Sequence, residues 1–199
     1  MDIRDEAMQL RNEKHQMIKT GLNAKMENSH DLAVVYTPGV AAPCLAIKEE
    51  EDKSLELTWR GNVVAVISDG TRVLGLGDIG PAAAMPVMEG KSALYKRFGN
   101  IDAIPIVLNT KDKDEIVRTI RILEKSFAGI NLEDFSSPKC YDIEDELKAT
   151  MNIPVFHDDQ HGTSIIVGSA LLNALQLTGK KIEEIKIVAS GAGAAALSC

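Results

Sequence analysis

Short apolar runs alternate with longer amphipathic stretches along most of the chain. The apolar runs fall at residues 63–67, 103–108, 129–132 and 153–156. Stretches with helical spacing of apolar positions follow them at residues 81–98, 112–127, 138–151 and 163–177. Runs this short suit strands buried on both faces, and strand–helix alternation is typical of a parallel sheet. The pattern therefore predicts an α/β fold of about four βα units.

Both ends of the chain depart from this pattern. Residues 4–19 carry apolar positions on one helical face, which predicts a helix before the sheet that could pack on a partner chain. Gly179 predicts the end of the last long helix. Residues 185–189 then predict another strand, and Gly191, Gly193 and Ala196 follow with the G-x-G-x-x-A spacing of a dinucleotide-binding turn. We place the domain boundary at residues 160/161: residues 1–160 form one domain, and residues 161–199 begin a Rossmann-type nucleotide domain.

Composition and charge exclude several classes of protein. The 199 residues include 22 Lys and Arg against 29 Asp and Glu, a net charge of −7 that argues against nucleic-acid binding. The charged start lacks the apolar segment of a signal peptide, and no run reaches the ~20 apolar residues of a membrane span. Cys44, Cys140 and Cys199 are far apart and predict free thiols. We therefore expect a cytoplasmic protein.

Acidic pairs follow two of the predicted strands. Glu133 and Asp134 end the third strand, and Asp158 and Asp159 follow the fourth. Ligands of open α/β sheets bind outside the carboxyl ends of the strands, so the pairs are expected to converge. Carboxylates brought together repel one another unless a cation joins them, and oxygen ligands suit Mg²⁺ or Mn²⁺. The alternative is that each pair stabilises a helix N-terminus.

Four further residues have competing interpretations. His157 and His161, in "HDDQH", have nearly the H-E-x-x-H spacing of zinc proteases. Pro154 places His157 at a strand end rather than within a helix, which argues against that reading. Lys91 would ordinarily be a solvated helix lysine. Tyr36 follows a short β-rich run and would ordinarily be half-buried with its hydroxyl hydrogen-bonded.

Five segments together resemble the malic enzyme family in its short bacterial form. In chain order they are "VVYTPGVA" (34–41), "SDGTRVLGLGDIG" (68–80), "MEGKSALY" (88–95), "NLEDF" (131–135) and "FHDDQHGTS" (156–164). The resemblance implies oxidative decarboxylation of (S)-malate to pyruvate and CO₂ with reduction of NAD or NADP. It also implies that the chain is the amino-terminal portion of a homodimeric enzyme and is inactive as a dehydrogenase by itself.

The same resemblance implies a role for each matching residue. Tyr36 matches the general acid, Lys91 the general base, and Arg72 the arginine that holds a substrate carboxylate. The metal ligands would be Glu133, Asp134 and Asp159, with Asp158 as a neighbour in the site. The pyrophosphate turn would comprise Gly191, Ala192, Gly193, Ala194, Ala195 and Ala196.

Two other functions remain open at this point. A keto-acid decarboxylase acting on oxaloacetate would need the metal, Lys91 and Tyr36 but no nucleotide. A non-catalytic dimerisation or regulatory module would use the acidic pairs as helix caps and would bind no metal.

Overall fold

A four-stranded parallel sheet forms the centre of the molecule, as the apolar runs predict. The computed structural model describes residues 2–199. Its strands are β1 (Val63–Ser68), β2 (Asp102–Val107), β3 (Gly129–Leu132) and β4 (Val155–His157). They lie in the order β2-β1-β3-β4, and all three neighbouring pairs are parallel. The predicted α/β fold is confirmed.

Nine α-helices are present among the described residues. They are α1 (Ile3–Lys14), α2 (Ser29–Val35), α3 (Ala41–Glu49), α4 (Ser54–Leu57), α5 (Pro81–Leu94), α6 (Lys113–Ile122), α7 (Lys139–Thr150), α8 (Asp158–Thr178) and α9 (Ala194–Ser198). A π-helical turn, Tyr95–Gly99, continues α5. The Asp112 side chain caps α6 by accepting a hydrogen bond from the Glu115 amide. Gly179 ends α8 in the left-handed conformation at φ 66°, as predicted.

The core lies on both faces of the sheet. On one face, helices α6 and α7 pack against the sheet through Ile116, Ile120, Ile143 and Leu147, all fully buried. On the other face, Met88 of α5 packs against Val66 and Ala103. Strand β1, like β3, is an inner strand of the sheet, because it pairs with β2 on one side and β3 on the other. Burial on both faces explains why its sequence is continuously apolar.

Several sequence expectations need correction. Residues 185–189 do not form a strand: no strand is assigned there, because no neighbouring strand of the described chain offers it hydrogen bonds. The run before Tyr36 is helix α2 rather than β-structure, and the Asn28 side chain caps it. Helix α8 begins at Asp158, five residues before the predicted start, because two acids occupy its favourable first turn.

The two ends of the chain lie against the sheet domain through few contacts. Helix α1 ends at Lys14, before the predicted residue 19, and has no buried residue. Arg11 joins it to α5 by pairing with Glu89 and by donating to the Pro86 carbonyl at 2.9 Å.

Helix α8 runs continuously across residue 160, so the proposed domain boundary stays a prediction. Among residues 2–199, no helix combines the length and apolar character that crossing a membrane requires.

Candidate active site

The candidate site lies where the order of the strands in the sheet reverses. From β1 the chain moves to β2 on one side, then crosses to β3 and β4 on the other. Such a reversal leaves a crevice outside the carboxyl ends of the strands. Residues that directly follow β1, β3 and β4 line this edge, which is where the sequence analysis expected the polar clusters to meet.

Glu133, Asp134 and Asp159 come together at this edge. One carboxylate oxygen of each lies within 4.8 Å of those of the other two. Asp134 has a left-handed backbone (φ 59°), a conformation that aspartate tolerates better than most residues. Its Oδ2 atom is buried and has no hydrogen-bond partner within the described chain. An orphaned buried carboxylate oxygen beside two other carboxylates is a donor set that fits a hard divalent cation.

The electrostatics of the cluster agree with this fit. Burial raises the pKa of Glu133 to about 7, in spite of the opposing charge of Lys91. Burial, followed by the negative charge of Asp159, raises the pKa of Asp134 to about 6. The pKa of Asp159 itself is lowered, because contacts with His157 outweigh the effect of burial. Two of the three carboxyls thus hold their protons unusually well when nothing else neutralises them.

Asp159 is held in place by two neighbours. Its Oδ2 atom accepts a hydrogen bond from the Asp134 amide at 2.8 Å. The same oxygen lies 3.0 Å from Nε2 of His157, a fully buried side chain. That imidazole N–H is not aligned with Oδ2 well enough for a full hydrogen bond, so the contact is mainly electrostatic. Asp159 Oδ1 takes part in neither contact.

Lys91 bridges the two acidic pairs. Its Nζ atom lies 3.0 Å from Glu133 Oε1 and 2.5 Å from Asp158 Oδ2. Burial alone would lower the pKa of Lys91, but these two carboxylates outweigh burial and raise it well above its usual value. Lys91 is therefore a charged ammonium in this arrangement, and the interpretation of Lys91 as a solvated surface lysine is wrong.

Gly162 explains how Asp158 reaches Lys91. It lies one helical turn after Asp158, and a Cβ atom at this position would stand 2.3 Å from Asp158 Oδ1. The absent side chain leaves space for the carboxylate to fold over the first turn of α8. The glycine of "HDDQHGT" thus has a steric role.

Arg72 lies beside the cluster but its guanidinium is exposed. Its amide donates to the Asp134 carbonyl at 3.0 Å, which ties the loop after β1 to the metal-ligand candidates. Its side chain makes one long contact, 3.4 Å from Nη1 to the Leu74 carbonyl. The side chain is thus free to meet an incoming carboxylate.

A buried ion pair that was not expected from the sequence supports this loop. Asp69, almost fully buried, pairs with Lys139 of α7. It also accepts from the Thr71 hydroxyl at 2.6 Å, and that hydroxyl accepts from the Ser136 amide at 3.0 Å. The network joins the loop after β1 to the loop after β3. The aspartate in "SDGTR" was visible in the sequence, but its distant partner was not.

Tyr36 stands apart from the other candidates. It is 71% exposed at the end of α2, so the expectation of a half-buried, hydrogen-bonded tyrosine is wrong. Among residues 2–199, no hydrogen bond or ion pair joins it to Lys91 or to the carboxylate cluster. Tyr95, in contrast, is half-buried and lies close enough to Lys91, Glu133 and Asp158 to respond to their charges. Burial and the charge of Asp158 raise its pKa to about 12. Its position four residues after Lys91 on one helix could have revealed it.

The two histidines of "HDDQH" diverge. His157 ends β4 and faces Asp159, whereas His161 places Nε2 2.7 Å from Glu144 Oε1. Within the described chain, the only group of three or more potential metal ligands is the carboxylate cluster. The two histidines therefore do not form the shared face that a zinc-protease site needs.

The glycine segment forms an exposed turn followed by a short helix. Gly191 has φ 114°, and Gly193 precedes the first residue of α9. Ala192 lies in the exposed turn, whereas Ala194, Ala195 and Ala196 are half-buried in α9, which contacts α8. The turn-to-helix order is that of a dinucleotide-binding motif, but the strand that would precede it is not formed.

Comparison with known proteins decides the family. A sequence model described as "Malic enzyme, N-terminal domain" matches residues 12–148. The chain belongs to the malic enzyme family. The resemblance seen in the five sequence segments is thereby confirmed.

Individual malic enzymes match closely. The chain is 51% identical over 198 residues to the bifunctional malic/malolactic enzyme of Bacillus subtilis, covering all of this chain and 48% of that protein. It is 53% identical over 174 residues to the NADP-dependent malic enzyme of Haemophilus influenzae, covering 87% of this chain and 23% of that protein. The crystal structure of the NAD-dependent malic enzyme of Thermotoga maritima superposes with a TM-score of 0.92 at 49% identity, covering 96% of this chain and 51% of that one. The malic enzyme chain described here thus spans about half the length of these relatives or less.

Proposed function

We propose that this chain provides the metal- and substrate-binding half of an enzyme that oxidatively decarboxylates (S)-malate to pyruvate and CO₂, with reduction of NAD or NADP. The observation that carries the proposal is the contact of Lys91 with the carboxylate cluster, in which Asp134 has an orphaned buried oxygen. Membership of the malic enzyme family supports the same reaction.

Glu133, Asp134 and Asp159 would hold Mg²⁺ or Mn²⁺. When bound, a divalent cation supplies positive charge that polarises the substrate oxygens and offsets the carboxylates that raise the pKa of Lys91. One of these ligands, Asp159, would be held before any cation arrives, because the Asp134 amide and His157 already contact it.

Lys91 is the proposed general base. Its Nζ atom is anchored between Glu133 and Asp158, on the cluster side of α5. As a neutral amine it would take the proton of the C2 hydroxyl as hydride leaves C2 for the nicotinamide. Asp158 would orient the amine and stabilise the ammonium after proton transfer.

Arg72 and Tyr36 complete the proposed machinery. The exposed guanidinium of Arg72 would bind a substrate carboxylate through its planar pair of donors. Tyr36 would protonate C3 after CO₂ leaves. Because Tyr36 is exposed at the end of α2, this role requires that it come closer to Lys91 than it lies here.

The remaining proposals concern the nucleotide and the assembly. Gly191–Ala196 would receive the pyrophosphate of NAD or NADP at the start of α9, where the glycines let the backbone approach closely. We also propose a cytoplasmic homodimer in which the exposed apolar side chains of the first helices, such as Leu32 and Leu45, meet a second copy.

A metal titration tests the proposal. We expect Mn²⁺ to bind to the 199-residue chain and Asp159→Ala to weaken that binding strongly, as measured by calorimetry. Asp145→Ala is the matched control, because Asp145 is an exposed acid of α7 that, within the described chain, makes no hydrogen bond or ion pair with the cluster residues. Equal affinity in all three proteins would remove Asp159 from the ligand set. No binding to the unaltered chain would favour the non-catalytic module, and metal-dependent decarboxylation of oxaloacetate without nucleotide would favour the keto-acid decarboxylase.

A further inference from the structure

Glu144 lies behind the carboxylate cluster and has no role in the reaction proposed above. It is on α7, only 3% exposed, and its carboxylate receives four contacts. Lys148 of the same helix approaches Oε1 at 2.6 Å. The other three contacts come from the junction between β4 and α8, the segment that carries Asp158 and Asp159.

The junction contacts are short and involve both carboxylate oxygens. The His157 amide donates to Oε1 at 3.0 Å, and Gln160 Nε2 donates to Oε2 at 3.0 Å. His161 Nε2 lies 2.7 Å from Oε1. A buried carboxylate with this many partners retains its negative charge, and its contacts with Lys148 and His157 lower its pKa in spite of burial.

Gln160 transmits the orientation of Glu144 to the His157 ring. Because Oε2 of Glu144 can only accept, the amide of Gln160 must turn its NH₂ group toward it. The same NH₂ nitrogen lies 3.1 Å from Nδ1 of His157, so Nδ1 must be the acceptor. A neutral imidazole with an accepting Nδ1 carries its proton on Nε2.

Nε2 of His157, which then carries the proton, lies 3.0 Å from Asp159 Oδ2, and its N–H attracts that oxygen mainly electrostatically because it is not aligned for a full hydrogen bond. The opposite tautomer would turn a lone pair toward the carboxylate oxygen and repel it. Attraction in one tautomer and repulsion in the other would decide how firmly Asp159 stays at the cluster. Outer contacts of this kind typically change metal affinity 10–100-fold.

We propose that Glu144 is a positioning residue that fixes the Nε2–H tautomer of His157 through Gln160 and thereby holds Asp159 in place for the metal. The inference rests on the proposed metal site. It adds a path of four side chains from the back of α7 to one ligand: Glu144, Gln160, His157 and Asp159.

The test is Glu144→Gln, which keeps the shape but places an NH₂ group against Gln160. Gln160 then has to flip, its carbonyl faces Nδ1, and the proton moves to Nδ1. Long-range ¹H–¹⁵N spectra of the imidazoles, recorded without metal at slightly alkaline pH, distinguish the two tautomers directly. We expect the His157 signals to change from the Nε2–H to the Nδ1–H pattern and the Mg²⁺ affinity to fall about 10–100-fold.

Lys148→Met is the matched control. It removes a charged partner from the same carboxylate but leaves Gln160 and His157 untouched, so the Nε2–H tautomer should persist and the affinity should stay within about threefold of the parent. If Glu144→Gln fails to fold, Gln160→Ala replaces it: without the NH₂ group that donates to Nδ1, the Nδ1–H form should become populated beside the Nε2–H form, and the Mg²⁺ affinity should fall. An unchanged tautomer in the folded variant would overturn the inference, as would unchanged Mg²⁺ affinity after the tautomer has switched. Failure of the parent chain to bind Mg²⁺ would instead contradict the proposed function, since the tautomer is measured without metal.

Discussion

Protonation of the carboxylate cluster should make metal binding strongly dependent on pH. Burial raises the pKa of Glu133 to about 7 and, with the charge of Asp159, that of Asp134 to about 6. A cation can bind only when both groups are ionised, so binding at lower pH must expel their protons. Affinity is therefore expected to rise with pH and to level off above about pH 7.

The magnitude follows from these pKa values. At about pH 5, a group with a pKa near 7 weakens binding about 10²-fold and a group with a pKa near 6 about 10-fold. The two effects multiply, so the Mg²⁺ affinity should fall about 10³-fold between about pH 8 and pH 5. Carboxyls with ordinary pKa values near 4 would lose less than about twofold over the same range.

The stability of the metal-free chain should change in the opposite direction. Both pKa values are raised relative to the unfolded chain, so the folded state binds these protons more tightly. Their stabilising contribution is complete below about pH 4, where the unfolded chain is also protonated. It is lost as the pH rises through about 6 for Asp134 and about 7 for Glu133.

Calorimetric titration with Mg²⁺ at several pH values, in buffers of different ionisation enthalpy, measures both the affinity and the protons released. Close to two protons should leave per cation at about pH 5 and almost none at about pH 8. The control is Asp134→Asn, which should bind more weakly overall but release about one proton fewer at low pH. An affinity that varies less than about tenfold over this range would refute the reasoning.

Three further predictions concern catalysis and stability. In a chain extended to the length of its relatives, Lys91→Ala should slow malate oxidation about 10²–10⁴-fold in steady-state assays, whereas near-normal turnover would refute its role as base. The 199-residue chain by itself should not reduce NAD or NADP with malate and Mn²⁺, as followed by nicotinamide absorbance; turnover typical of a dehydrogenase would contradict the need for further nucleotide-binding structure. Asp69→Asn should lower the free energy of unfolding by about 1–3 kcal/mol in urea titrations, because Lys139 loses its buried partner. Lys113→Met, which breaks the more exposed pair with Glu146, should cost less than about 1 kcal/mol; equal costs would contradict that account.

The strands and the carboxylate cluster could be predicted from sequence because each depends on a local pattern. Strand β3 is buried on both faces, and its bounds match the apolar run at residues 129–132. The pairs Glu133–Asp134 and Asp158–Asp159 follow directly from strand ends, and the parallel order of the sheet brings them to one edge. Their convergence required only the rule that parallel strands end on the same side.

Other features depend on partners that a local pattern does not reveal. Four of the five residues 185–189 are apolar, but a strand also needs a neighbour for its backbone, and none is present in the described chain. In the sequence, Glu144 looks like any other charged residue of an amphipathic helix. Its carboxylate is bound by the β4–α8 junction, a contact that the local pattern does not show. The pairing of Asp69 with Lys139 spans 70 positions, a separation at which sequence spacing carries no information.

Because the strands are parallel, the two edges of the sheet are expected to differ in how well they tolerate amino-acid substitutions and insertions. The turns that lead into β2, β3 and β4 all lie at the edge opposite the carboxylates, because the strands are parallel. Asn100, in a left-handed turn before β2, and Asn152, exposed before β4, are examples. Labels, short insertions or surface attachment points introduced there would lie at the opposite edge of the sheet from the proposed metal ligands. Substitutions at that edge would affect the stability of the fold, whereas substitutions at the carboxylate edge would alter the residues proposed to bind the metal.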